Sequence, residues 1–170
     1  MNYYPETPRP TTFGSLPAGP EGIKQTLHKM VALCRQWKKD PGIVEVAGDL
    51  VKELPQGDRP SEIRTIQRFV RDYIRYTNDP RGVEWIRDPQ ATLELAVGDC
   101  DDKSLLCATL LEAIGCPTRF AGIMLKGRDR FSHVCAQARL GPRWFYLETI
   151  KPVEAGWRPR DIKAVLYAHN

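Results

Sequence analysis

Three stretches in the first half of the chain repeat apolar residues at helical spacing. Ile23, Leu27, Met30, Cys34 and Trp37 form one stripe, and a second pattern runs over residues 41–54, where Pro41 suits a first turn. The third spans residues 61–76 and turns Ile63, Ile66, Phe69, Val70, Tyr73 and Ile74 inward. A fourth helix is predicted from about residue 100 to 114, because Gly115 follows as the residue best able to take a left-handed cap. The period then changes to two. Thr118–Leu125 reads as a strand. In residues 131–140, Val134, Ala136, Ala138 and Leu140 share one face and His133, Cys135, Gln137 and Arg139 the other, as in a strand with one side in a core. Gly141-Pro142 reads as a tight turn and residues 143–148 as the returning strand. Helices followed by an antiparallel sheet predict an α+β fold.

The register of that hairpin brings chemistry together. With Gly141 and Pro142 as the loop, Leu140 pairs with Arg143 and Cys135 lies opposite Glu148. His133 is then the diagonal neighbour of Glu148 on one face, roughly 7–8 Å away and within reach of a long carboxylate side chain. Such a carboxylate orients an imidazole and stabilises its protonated form.

The partner for that imidazole is Cys100, in Gly98-Asp99-Cys100-Asp101-Asp102-Lys103-Ser104-Leu105. A thiol in the first turn of a helix meets unpaired backbone N–H groups and the positive end of the helix dipole, which favour a thiolate and could hold an oxyanion. Asp99, Asp101 and Asp102 suit a helix start for capping, but their charge raises a thiol pKa, so a cationic partner is needed for the thiolate to dominate. A further oxyanion donor is sought upstream, where Gln90 and Trp85 are the candidates. Cys34, Cys107 and Cys116 read as small core residues. His28 reads as a helix-surface residue and His169 as part of a loose C-terminus. The five cysteines contain no Cys-x-x-Cys pair, and the aspartates lack the alternating ligands of a calcium loop, so no metal and no cofactor are expected.

Taken together, Gly98–Asp102, residues 110–119, Ser132-His133-Val134 and residues 144–148 resemble the transglutaminase-like superfamily, whose fold is related to papain-type cysteine proteases. Upstream, Ile74-Arg75-Tyr76, Asp79-Pro80 and Pro89-Gln90-Ala91-Thr92-Leu93 extend the resemblance. It implies Cys100 as nucleophile, His133 as general base and acid, and Glu148 as orienter. It also implies a thioester acyl-enzyme, with water giving peptidase or amidase action and an amine giving transamidation. Two positions depart from the pattern: Glu148 stands where aspartate is more usual, and Cys135 where an aromatic residue is common, which puts a spare thiol beside Asp99, Asp101 and the rest of the presumed cleft. Similar short domains occur in phages and prophages, which implies an alternative role in virion or tail assembly with a weak or inert triad.

Composition adds bounds. The 170 residues, 42% hydrophobic and 27% charged, suit an arm at residues 1–20 followed by one domain at 21–170, with a helical subregion at 21–78 and a catalytic core at 79–160. Five prolines in the arm argue for an extended segment, which Tyr3, Tyr4 and Phe13 could anchor to its own domain or to virion or tail partners. No apolar run reaches membrane-spanning length and the start lacks a signal-peptide pattern, so the expectation is a cytoplasmic protein acting on a protein or peptide, away from membranes. The net charge of +4 is mild and its basic residues lack interleaved aromatics, which argues against nucleic acid.

Overall fold

The computed structural model describes residues 11–13, 19–78 and 84–170. The expected arm therefore lies outside the described residues, apart from a short strand and the two residues leading into the first helix, and so does Asp79-Pro80. In chain order the elements are β1 (Thr11–Phe13), α1 (Pro20–Trp37), α2 (Pro41–Val51), α3 (Arg59–Tyr73), β2 (Arg75–Tyr76), β3 (Glu84–Ile86), α4 (Pro89–Leu95), β4 (Val97–Gly98), α5 (Cys100–Ala113), β5 (Thr118–Leu125), β6 (His133–Leu140), β7 (Arg143–Leu147) and β8 (Ile162–His169). Helices α2, α3 and α4 share one start signal, an aspartate N-cap followed by a proline in the first turn. Asp40 accepts from the N–H of Gly42 and Ile43, Asp58 from Ser61 and Asp88 from Ala91. Each aspartate satisfies an orphan donor, and each proline occupies a position with no intrahelical donor to lose.

Four strands form an antiparallel sheet in the order β7-β6-β5-β8. The hairpin register is as expected, with Leu140 opposite Arg143 and Ala136 opposite Leu147. Helix α5 lies against β6 and β5, α1 lies against β5 and β8, and α2, α3 and α4 pack around α5. Every residue from Asp101 to Leu111 is buried, so α5 is a core helix enclosed on all sides instead of an amphipathic one.

Three expectations are corrected. The C-terminus is not loose: residues 162–169 pair along β5, with Phe120 opposite Ala168 and Ile123 opposite Val165. The third helix stops at Tyr73, because Arg75 leaves the helical path to pair in parallel with β4 and donates its N–H to Ala96 O at 2.8 Å. Strand β6 is buried on both faces over residues 134–138, where Ala121, Ile123, Cys135 and Tyr146 form a second small cluster. Among the described residues, no helix is long and apolar enough to cross a membrane.

Close packing makes one glycine obligatory. A Cβ on Gly122 in β5 would stand 2.6 Å from Ile23 Cγ1, the methylene next to the branched Cβ of that α1 side chain, and 3.1 Å from its Cδ1. Gly122→Ala is therefore expected to push α1 off the sheet and cost about 1–3 kcal/mol, the usual toll of overpacking. Urea unfolding followed by circular dichroism measures it, and an unchanged midpoint would mean that α1 is not seated on β5 this way.

Candidate active site

Asp99 caps α5 and sets the attitude of the thiol. Its Oδ1 accepts from the N–H of Asp101 at 3.0 Å and Asp102 at 3.2 Å, while Asp102 Oδ2 returns the bond to the N–H of Asp99 at 3.4 Å, completing a capping box. Gly98 permits this closeness, since a Cβ there would lie 2.7 Å from the Asp102 Cβ. The fully buried Asp102 also binds Arg87 twice: Oδ1 accepts the backbone N–H at 2.7 Å and Oδ2 the guanidinium. This pair locks the end of β3 to the first turn of α5.

Cys100 thus faces β6. Strand β7 ends at Leu147, opposite Ala136, so Val134 lies beyond the end of its partner strand. Its peptide groups turn to α5 instead: Ser104 Oγ donates to Val134 O at 3.1 Å, and the Val134 N–H acts as a hydrogen-bond donor to the Cys100 sulfur. The thiol is consequently held at the residue next to His133.

His133 begins β6 with its side chain about one-fifth exposed, at 19%. Its Nε2 meets Glu148 Oε2 at 2.9 Å, and Glu148 Oε1 accepts the Ile150 N–H at 2.8 Å, so both carboxylate oxygens are engaged. Burial pushes the Glu148 pKa up, but the hydrogen bond and charge of His133, with the N–H groups of Ile150 and Lys151, outweigh it and hold the carboxyl below its ordinary range. Gln67 of α3 fixes the backbone beneath, donating to Glu148 O at 2.6 Å and to Val153 O at 3.0 Å. With Nε2 committed to Glu148, Nδ1 is the ring nitrogen left for proton exchange.

The environment of Cys100 opposes a resting thiolate. Burial is the largest cause, followed by the charges of Asp101 and Asp99, and together they raise the thiol pKa well above its ordinary value against the help of the Val134 N–H. The S–H donates to Asp101 Oδ1 at 3.2 Å, and Asp101 is itself buried. The aspartates flanking Cys100 therefore prevail over the helix start.

The other candidates fall in different places. Trp85 lies on β3, two residues before the clamped Arg87, and its indole nitrogen is buried. Gln90 sits in the first turn of α4, where Pro89, Ala91 and Thr92 take the inward positions, so it is exposed and its amide donates to Glu94 Oε1 at 2.8 Å. Cys135 is buried beside His133 and Glu148, and ligand atoms of all three lie within 4.8 Å of one another. Burial and the Glu148 charge raise its thiol pKa well above the ordinary value. Cys34 behaves as the core residue expected, its pKa pushed up to about 12, chiefly by burial.

Two supports went unread in the sequence. Arg87 and Asp102 lie fifteen positions apart with no local pattern to pair them. Lys103 is fully enclosed at 2% exposure, and its ammonium caps the end of α3, donating to Ile74 O at 2.5 Å and Arg71 O at 3.2 Å. Its position inside a helix with no solvent face was the available signal.

Residues 48–149, more than half of the chain, match the transglutaminase-like superfamily. The chain belongs to that superfamily. Two solved structures are similar to this transglutaminase-like chain, each at 16% identity. One, a candidate protease from Parabacteroides distasonis, has a TM-score of 0.57 over 72% of this chain and 26% of its own. The other, a candidate cysteine protease from Cytophaga hutchinsonii, has a TM-score of 0.56 over 83% of this chain and 56% of its own. At that identity the likeness is one of fold, and this chain spans about a quarter of the first protein and just over half of the second. No curated protein matches it.

Two tests follow for the transglutaminase-like site. Arg87→Met strands the buried Asp102 charge, and a loss of about 3–5 kcal/mol is expected in chemical unfolding. A loss within 1 kcal/mol of zero would remove the clamp from the account. Alkylation of Cys100 by iodoacetamide, read by mass spectrometry across pH, should titrate above the ordinary thiol value of about 8.5. Asp101→Asn should bring that titration down and speed alkylation at neutral pH, whereas a wild-type thiol already titrating below the ordinary value would contradict the described environment.

Proposed function

We propose that the chain is a cysteine-dependent acyl-transfer enzyme that opens a peptide or carboxamide bond, with Cys100 as nucleophile, His133 as proton carrier and Glu148 as orienter. The observation that carries this reading is the 2.9 Å bond from His133 Nε2 to Glu148, with the Cys100 thiol docked at Val134, the next residue along the strand. In the first step the Cys100 sulfur bonds to the substrate carbonyl carbon as its proton passes to His133 Nδ1. Glu148 stabilises the imidazolium that results. The oxyanion falls to the Cys100 N–H at the start of α5. Collapse of the tetrahedral adduct breaks the C–N bond, His133 returns the proton to the leaving amine, and a thioester remains. Water then enters by the reverse proton path and frees the acid.

The raised thiol pKa assigns a particular order to these events. A thiol that rests protonated against Asp101 is activated by the base during attack, as a serine is, and does not wait as an ion pair. Hydrolysis is favoured over transamidation by the descriptions of the two similar structures as candidate proteases. The assembly reading, in which virion or tail proteins are the partners and the triad is inert, makes the opposite prediction about the thiol.

A library of peptide amides incubated with hydroxylamine distinguishes the two. The enzyme should release hydroxamates from a thioester. Cys100→Ala and His133→Ala should each lower the rate by on the order of 10³-fold or more, and Glu148→Gln by about 10²-fold or more. Hydroxamate formation that survives Cys100→Ala would sink the proposal, and an unacylated Cys100 in a chain that co-assembles with defined virion proteins would replace it with the assembly reading.

A further inference from the structure

The face of β6 that carries His133 also carries a thiol for which acyl transfer has no use. Cys135 stands two residues along the strand, so its side chain leaves the sheet on the same side. The hairpin register, which pairs Ala136 with Leu147, puts Glu148 across from it. Their ligand atoms and that of His133 all lie within 4.8 Å of one another. We propose that His133, Cys135 and Glu148 form a binding site for a zinc-class divalent cation.

The donor set selects the ion. One imidazole nitrogen, one thiolate sulfur and one carboxylate oxygen are what Zn²⁺ takes, at about 2.0–2.3 Å, with a fourth position left to water. Magnesium and calcium prefer oxygen throughout, so a sulfur and a nitrogen in the set work against them. Charge agrees with burial. A dication with one thiolate, one carboxylate and a neutral imidazole sums to zero, which is the arrangement an enclosed site tolerates best. Cys135 and Glu148 are each 2% exposed, and the part-exposed ring of His133 opens the way in from solvent.

Binding balances without any further reagent. The ion enters and the Cys135 S–H proton leaves to water. The proton that His133 Nε2 shares with Glu148 moves to Nδ1 or, where Nδ1 already holds one, leaves to water, and the nitrogen and the carboxylate oxygen turn from one another to the metal. The expectation of no metal rested on the spacing of the cysteines and on the aspartates around Cys100, whereas this set takes one residue of each type from two strands. The site requires no reactivity at Cys100. If the acyl-transfer reading also holds, the ion occupies the base and its orienter, and zinc becomes a reversible inhibitor acting at His133 instead of at the nucleophile.

Cobalt(II) reports the site without any substrate. Tag-free, reduced full-length chain is titrated with CoCl₂ and followed by absorption, where a thiolate-to-cobalt charge-transfer band marks sulfur ligation and intense visible bands mark tetrahedral geometry. One equivalent should produce both in the wild type and in Cys100→Ser, and ZnCl₂ should bleach them. Cys135→Ser should abolish the charge-transfer band, and Glu148→Gln, a milder ligand deletion, should weaken cobalt binding on the order of 10-fold or more, with circular dichroism confirming that both variants fold. No band in the wild type overturns the proposal. So does a band that persists in Cys135→Ser or vanishes in Cys100→Ser, the latter assigning the metal to the nucleophile. Failure of hydroxamate formation leaves these spectra untouched, so the two readings fail separately.

Discussion

The enclosure of α5 on every side is the constraint on which the site depends. A helix with no face to water can keep polar residues only where neighbouring elements satisfy them, and its first two turns hold Asp101, Asp102, Lys103 and Ser104. Each of the last three ties the helix to a different element: Asp102 to Arg87 at the end of β3, Lys103 to the carbonyls ending α3, and Ser104 to Val134 of β6. An apolar core can slide by part of a side chain at little cost, but buried donors and acceptors cannot lose their partners so cheaply. The direction of Cys100 is thus set by bonds made by the residues that follow it, and α1, α2 and α3 supply the enclosure that gives those bonds their strength.

The same enclosure creates an electrostatic conflict. The carboxylates that make α5 start where it does also surround the thiol with negative charge, and among the described residues no cation outweighs them at Cys100. Capping and thiolate formation compete for the same few ångströms, and in the free protein capping prevails. In the acyl-transfer reading proposed above, a substrate carbonyl changes that balance, because its developing oxyanion draws on the N–H groups at the helix start just as the thiol proton departs. Negative surroundings disfavour a resting thiolate far more than they disfavour a proton transfer concerted with attack.

Much of this was legible in the chain because it is local. The helix start at Asp99, Pro41 in the first turn of α2, the period-two stretch at 133–140 and the Gly141-Pro142 turn each depend on a few neighbouring residues, and the hairpin register by itself sets His133 beside Glu148. What escaped was set at long range. β8 reads weakly because Val165 and Tyr167 put apolar residues on the face of Lys163 and His169, and only the open edge of β5 makes it a strand. The burial of the second face of β6 depends on Tyr146 and Ile123, which arrive from both neighbouring strands. The Arg87–Asp102 clamp and the outward turn of Gln90 follow from how α4 seats on α5, which no periodicity within either segment encodes.

The two departures from the superfamily pattern are best understood as one. Glu148 meets His133 along a diagonal of the sheet, a span of roughly 7–8 Å between backbones that an aspartate would leave one methylene short. A longer carboxylate needs room on that face, and the residue directly opposite it is Cys135. An aromatic ring at that position would fill the space in which the imidazole, the sulfur and the carboxylate now lie within 4.8 Å of one another. The small thiol admits the long acid, and the long acid reaches the histidine. The pair conserves the volume of an aspartate facing an aromatic ring only in part, and it replaces inert carbon with sulfur beside His133. The chemistry of His133 in this chain is therefore set from the far side of the hairpin as much as from Cys100.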